Sequence, residues 1–178
     1  RYWDNDFNQT PYRDSGYGEL SENKFLRETG LSGDVKEIVK TVSGREKWNA
    51  WRCENITKAV EKLSSAVKSV NKDLIVSAAV VSNPNQAKST YMQDLQKWAK
   101  NGYIDLFCPM IYTGSVDQVE RFTLELVSLV NEMSFVSSGI APLYYGYSNE
   151  TNHAQMVCGT INSIGTSYFA SHNIFTSK

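Results

Sequence analysis

The tightest constraint on the fold comes from two apolar runs, LIVSAAVV at 74–81 and IDLFCPMIY at 104–112, neither of which alternates polar with apolar residues. A strand with one wet face alternates. A strand covered on both faces reads as a continuous apolar run, so both segments predict buried strands of a parallel sheet. Between them Tyr91, Leu95 and Trp98 give a helical stripe, and Gly102 sits where a helix terminates. FVSSGIAPLYY at 135–145 is the third strand, preceded by a helix marked by Val116, Val119, Phe122, Leu126, Leu129 and Met133. Ala154, Val157, Cys158, Ile161 and Ile164 mark a last helix, ended by Gly165, before a weaker strand around Tyr168 to Phe175. Strands and helices in alternation predict parallel βαβ units.

Ahead of these units, residues 3–21 form a long polar and aromatic loop carrying Pro11, Gly16 and Gly18. Ser21 offers an N-cap for a short helix from Glu22 to Thr29, which Gly30 ends. Trp48, Trp51, Ile56, Val60, Leu63, Val67 and Val70 then mark one long amphipathic helix between Arg45 and Asn71. Element order alone does not separate a doubly wound sheet from a (β/α)8 barrel. No G-x-G-x-x-G or G-x-x-x-x-G-K-[ST] follows any strand, which removes the best support for a nucleotide-binding open sheet and favours the barrel. A TIM barrel needs roughly 250 residues and eight strands. Four strands are legible here, plus the end of one at Arg1-Tyr2, so residues 1–178 read as a single α/β domain of (β/α)8 type. It is an incomplete barrel, its C-terminal half or more.

The balance of 18 basic and 19 acidic residues, without a basic stripe, gives no footprint for a nucleic-acid partner. No run approaches the ~18 apolar residues of a membrane-spanning segment. Cys53, Cys108 and Cys158 lack paired C-x-x-C spacing and read as small buried hydrophobes rather than zinc ligands or a disulfide framework. His153 and His172 have no ligand spacing and no G-x-S-x-G elbow accompanies them, so they read as structural or exposed. Neither metal nor cofactor is implied.

Several stretches carry a more specific pattern. These are Phe25-Leu26-Arg27-Glu28-Thr29-Gly30, a W-x-x-W-R opening at Trp48 to Arg52, and Ser77 to Val80. The longest is Q-D-x-x-x-W-x-x-x-G-x-I-D-x-x-x-P-M-x-Y from Gln93 to Tyr112. With Arg1-Tyr2 they resemble the glycosyl hydrolase-like 10 family of bacterial proteins. Trp3 departs from the family's proline, and the acidic residues of the family's first motif fall before Arg1. The resemblance implies a TIM-barrel glycoside hydrolase cleaving O-glycosidic bonds in a bacterial cell-envelope or extracellular polysaccharide. It also implies an extracellular or cell-envelope location and a polysaccharide or oligosaccharide as partner. The alternative is a non-catalytic carbohydrate-binding barrel domain.

In such barrels the functional rim lies at the C-terminal ends of the strands. That rule gathers Arg1, Tyr2, Trp3, Asp4, Ser82, Asn83, Met110, Tyr112, Tyr144 and Tyr145 at one rim. Asp105 falls at the opposite end, as a cap or ion pair. Pro109 cannot donate to a ladder and predicts a bulge or bend that turns Met110 and Tyr112 toward the pocket. Tyrosine rings offer an apolar face to a sugar and a hydroxyl to its substituents. Tyr144 and Tyr145 read equally as half-buried amphipathic side chains. Glycoside hydrolysis uses two carboxyl groups. Asp4 and Asp6, just past a strand exit, are the candidates, with Asp14 and Glu19 further along the loop and a solvated surface role as the alternative for each. Arg1, Tyr2, Trp3, Asn83, Met110, Tyr112, Tyr144 and Tyr145 are the expected substrate-binding residues.

Overall fold

Among the described residues every strand pairing is parallel, and the helices return the chain to the same end each time. A computed structural model describes residues 16–142 and 146–170. Its elements are α1 (Glu19–Thr29), α2 (Val35–Ile38), α3 (Val42–Val70), β1 (Ser77–Val80), α4 (Pro84–Tyr91), α5 (Leu95–Lys100) and β2 (Leu106–Pro109). They continue as α6 (Val116–Val130), β3 (Phe135–Val136), β4 (Ser138–Ile140), α7 (Asn149–Asn162) and β5 (Thr166–Tyr168). β1, β2 and β3 are neighbours in that order, and β4 pairs with β5. β3 and β4 are two pieces of one line. Leu106 faces Phe135, and the Met110–Gly139 bridge keeps the same offset beyond the break.

The break has a covalent cause. Ser137 N donates to Phe107 O at 2.9 Å and Ile111 N donates to Gly139 O at 2.7 Å, so the rung between them belongs to the nitrogen of Pro109 and the carbonyl of Ser137. Proline has no hydrogen to give there. The expected bulge is therefore absent, since the register never slips, and the expected bend is present. Gly139 answers the same crowding: a Cβ there would stand 2.3 Å from the Pro109 carbonyl oxygen.

Local chemistry corrects several element boundaries. Gly18, rather than Ser21, precedes α1, and Glu19 and Glu22 fill its first turn, where carboxylates suit the positive helix end. Thr41 Oγ1 accepts from Gly44 N, starting α3 at Val42, three residues ahead of the expected Arg45. The single helix expected around Tyr91 to Trp98 is two, because Met92 adopts a left-handed φ of 57° and Asp94 caps a new start by accepting from Lys97 N.

One face of the sheet carries the core. Val80, Phe107 and Val136 pack with Leu95 and Trp98 of α5 and with Leu126 and Val130 of α6. Ile56 and Val60 of α3 close over the same cluster. Trp98 Nε1 donates to the buried Thr57 Oγ1 at 3.0 Å, so the indole's polar atom is satisfied within the apolar layer. A second cluster joins Phe25, Val35, Val39 and Trp48, with Phe25 edge-on to Trp48 at 4.9 Å. The expectation of strands covered on both faces is corrected here. Ser77 and Ala79 are exposed, as are Ile75 and Phe135, because among the described residues the helices lie on one side alone.

At the strand starts, Asp105 Oδ2 accepts from Val76 N at 2.7 Å and pairs with Lys68 Nζ at 2.6 Å. This joins α3, β1 and β2 where the sequence placed a cap or ion pair. Burial pushes the Asp105 carboxyl pKa up, but the Lys68 ammonium and the Val76 N–H outweigh it and hold the group below its ordinary range. A depressed folded pKa contributes stability that is complete above the unfolded value and is lost as pH falls through the folded one. Asp105→Asn is expected to cost about 1–2 kcal/mol near neutral pH, and urea unfolding should show the gap to wild type closing in acid below the unfolded carboxyl pKa of about 4. Gly139→Ala should cost about 2 kcal/mol or more, read as a lower urea midpoint, since the contact is with backbone and no side chain can yield.

Candidate functional site

Four strand ends open at one edge of the sheet, and the sequence sets the local geometry of each. β1 runs into Val81, whose N–H donates to Gln93 Oε1 at 3.1 Å. Asn83 then caps α4, its side-chain oxygen accepting from Asn85 N at 3.0 Å, with Pro84 at the first helical position. The carboxamide of Asn83 therefore serves the backbone at this rim.

The exit of β2 is a tight bend. Met110 N still donates to Val80 O at 2.9 Å, and then Ile111 N reaches back to Pro109 O and Tyr112 N to Met110 O, each at 3.0 Å. Side chains alternate across the bend. Phe107 and Ile111 enter the helix-side core, whereas Cys108, Met110 and Tyr112 take the other face and are half-buried. Tyr112 stacks on Phe169, the residue after β5, with ring centroids 5.3 Å apart and planes at 23°. The rings come from strands that are not neighbours. Continuing the registers places Ala141 between them, and its methyl, 2% exposed, lets two rings meet over one residue. The sequence placed Phe169 in a weak strand and gave it no role; its signal was an aromatic next to Tyr168, two residues beyond Ser167.

The loop after Tyr112 is held from several sides. Gln155 of α7, 1% exposed, donates from Nε2 to Thr113 O at 2.6 Å. Thr113 Oγ1 donates to Gln118 Oε1 and accepts from Ser115 N. Tyr147 lies against Gly114 so closely that a Cβ there would be 3.0 Å from its ring. Toward the strand starts, on the same face of the sheet as Met110 and Tyr112, Ser137 and Ser167 share a hydroxyl–hydroxyl bond of 2.8 Å, and Ser167 Oγ donates to Cys108 Sγ at 3.7 Å. Cys108 thus lies in a row of small polar groups, and only Cys53 of the three thiols is fully buried.

Of the residues singled out from sequence, Asn83, Met110 and Tyr112 lie together at this rim. Arg1, Tyr2, Trp3, Asp4 and Asp6 lie outside the described residues, as do Tyr144 and Tyr145. Among the described residues, 81–83, 110–113, 141–142 and 169–170 at the strand exits carry no carboxylate. The arrangement offers paired aromatic rings, a thioether and amides at one edge of the sheet: groups that can bind and orient a polar ligand with apolar faces. A double-mutant cycle of Tyr112→Ala and Phe169→Ala should give a coupling of about 0.5–1.5 kcal/mol in unfolding free energy.

No helix among the described residues is long and apolar enough to cross a membrane. No curated protein matches the chain, and no solved structure does. A family model does: glycosyl hydrolase-like 10 matches residues 4–150, which include the whole run from α1 through β4 and the aromatic exit of β2. On that match, the chain belongs to the glycosyl hydrolase-like 10 family.

Proposed function

We propose that the chain is part of a (β/α)8 glycoside hydrolase that cleaves O-glycosidic bonds in a bacterial cell-envelope or extracellular polysaccharide. The observation that carries this is the common rim: all pairings among the described residues are parallel, so Asn83, Met110 and the Tyr112–Phe169 stack sit at the strand ends where barrel enzymes build their sites. Sheet order supports the barrel over a doubly wound sheet. Among the described residues the strands are neighbours in sequence order, without the reversal that creates a switch point. The small and polar row of Ala79, Cys108, Ser137 and Ser167 suits the inside of a closed sheet better than a solvated surface.

In this reading Tyr112 and Phe169 present ring surface to the C–H face of a sugar, and Met110 fills space beside them. Asp4 and Asp6 supply the carboxyl pair, one protonated to assist the leaving oxygen and one ionised as nucleophile or base. Arg1, Tyr2, Trp3, Tyr144 and Tyr145 complete the substrate contacts. A second reading, a non-catalytic carbohydrate-binding barrel, is favoured by the lack of carboxylates at the described exits.

Reducing-end release from soluble cell-envelope and extracellular polysaccharides, measured alongside binding, separates the two. For the enzyme, Asp4→Asn or Asp6→Asn should lower turnover by about 10²-fold or more with binding kept. Tyr112→Ala should weaken binding roughly tenfold, about 1.4 kcal/mol. Binding by the wild-type chain without any cleavage would establish the second reading, and neither binding nor cleavage would remove both.

A further inference from the structure

The apolar stripe of α7 predicts that Val157 and Ile161 turn inward, yet both are exposed, and the residues the helix buries are Asn152, Gln155 and Gly159. Three- and four-residue steps put these on one side of the helix. Gly159 is there for close approach: a Cβ on it would stand 2.9 Å from Ser138 Cβ. The two carboxamides need another reason. Burying amide groups costs free energy wherever an atom goes unpaired, and the buried Asn152 Oδ1 has no hydrogen-bond partner among the described residues. An apolar side chain of similar length would fill the space with less loss of hydration, but it could not hold a carbonyl.

Both carboxamides serve chain at the strand exits. Gln155 Nε2 donates to Thr113 O, 42 residues away, and Asn152 Nδ2 donates to Tyr147 O at 3.3 Å. The Tyr147 ring in turn lies against Gly114. One face of α7 therefore holds residues 113 and 114 from two directions. On the other side of Tyr112, Ile111 N donates to Gly139 O and Tyr112 N to Met110 O. Main-chain bonds thus bracket Tyr112, to the sheet before it and to α7 after it, and leave its Cα–Cβ direction little freedom. Rotation about the side-chain torsions remains, and the stack on Phe169 settles that.

We propose that Gln155 is a positioning residue: by holding the Thr113 carbonyl it sets the Tyr112 ring against Phe169, and Asn152 supports it through Tyr147 and Gly114. Gln155 acts through the main chain and needs no contact with a ligand. Its effect on ligand binding rests on the carbohydrate reading of the rim, whereas its effect on the rings does not.

Gln155→Met keeps the length of the side chain and removes the donor. The readout is the ring-current displacement of the Phe169 ring protons, taken as the difference between a chain with Tyr112 and its Tyr112→Leu counterpart. In the Gln155→Met background that difference should fall at least about twofold, since it depends on ring separation and tilt. Thr123→Val removes a buried hydroxyl bond to Ser138 and controls for lost stability; it should leave the difference unchanged. Against soluble cell-envelope and extracellular polysaccharides, Gln155→Met should weaken binding about threefold to tenfold, and less than about twofold in the Tyr112→Ala background, because effects routed through one residue do not add. An unchanged ring-current difference overturns the proposal. So does a loss of binding that persists in full in the Tyr112→Ala background, or a Thr123→Val effect on the rings as large as that of Gln155→Met. If the wild-type chain binds none of the polysaccharides, the carbohydrate reading fails and the ring-current difference still decides the role of Gln155. Should Gln155→Met not fold, Asn152→Ser is the second variant: the difference should fall by about a quarter or more, and an unchanged value overturns the proposal.

Discussion

The parallel pairing of β2 with a neighbour on each side is the interaction on which the rest depends. β2 carries the fully buried Phe107, and its ladders run both to β1 and to the β3–β4 line. Its register fixes which residues meet the helices. Phe107 and Ile111 go to one face, Cys108, Met110 and Tyr112 to the other, and a slip of one residue would exchange them. The strands beside it inherit that assignment.

The two ends of this sheet are organised by different forces. At the strand starts, Lys68, Asp105 and the Val76 N–H form a charged clasp between the longest helix and the sheet. At the exits there is no comparable ion pair among the described residues. The loops are held by amide and hydroxyl contacts, among them Gln155 to Thr113 and the buried bond from Val81 to Gln93, and by ring packing. A ligand site benefits from that division, because rigid elements beneath can hold adaptable groups above.

Much of this was legible in the sequence. The non-alternating runs located β1, β2 and the β3–β4 line, and the alternation of strands with helical stripes gave their parallel direction. Other features were hidden because they depend on partners distant in the chain. Nothing near Tyr91 announces that Met92 turns left-handed and splits one helix into two. The expectation of strands covered on both faces was drawn from runs such as LIVSAAVV, yet Ile75, Ser77 and Ala79 face an uncovered side in the described residues. Periodicity reports the apolar character of a residue and not what lies against it. At the site, Pro109 signalled the bend and Tyr112 its purpose, but Phe169 is 57 residues further along and joins Tyr112 only through the sheet.

The bend after Pro109 carries an evolutionary consequence. Its course is written in main-chain bonds, Ile111 to Pro109 and Tyr112 to Met110, together with a carbonyl gripped by Gln155. Direction at position 112 is thus uncoupled from the identity of the side chain it carries. Relatives could exchange that tyrosine for another residue, and so drift in preference for what they contact, while inheriting the same scaffold unaltered.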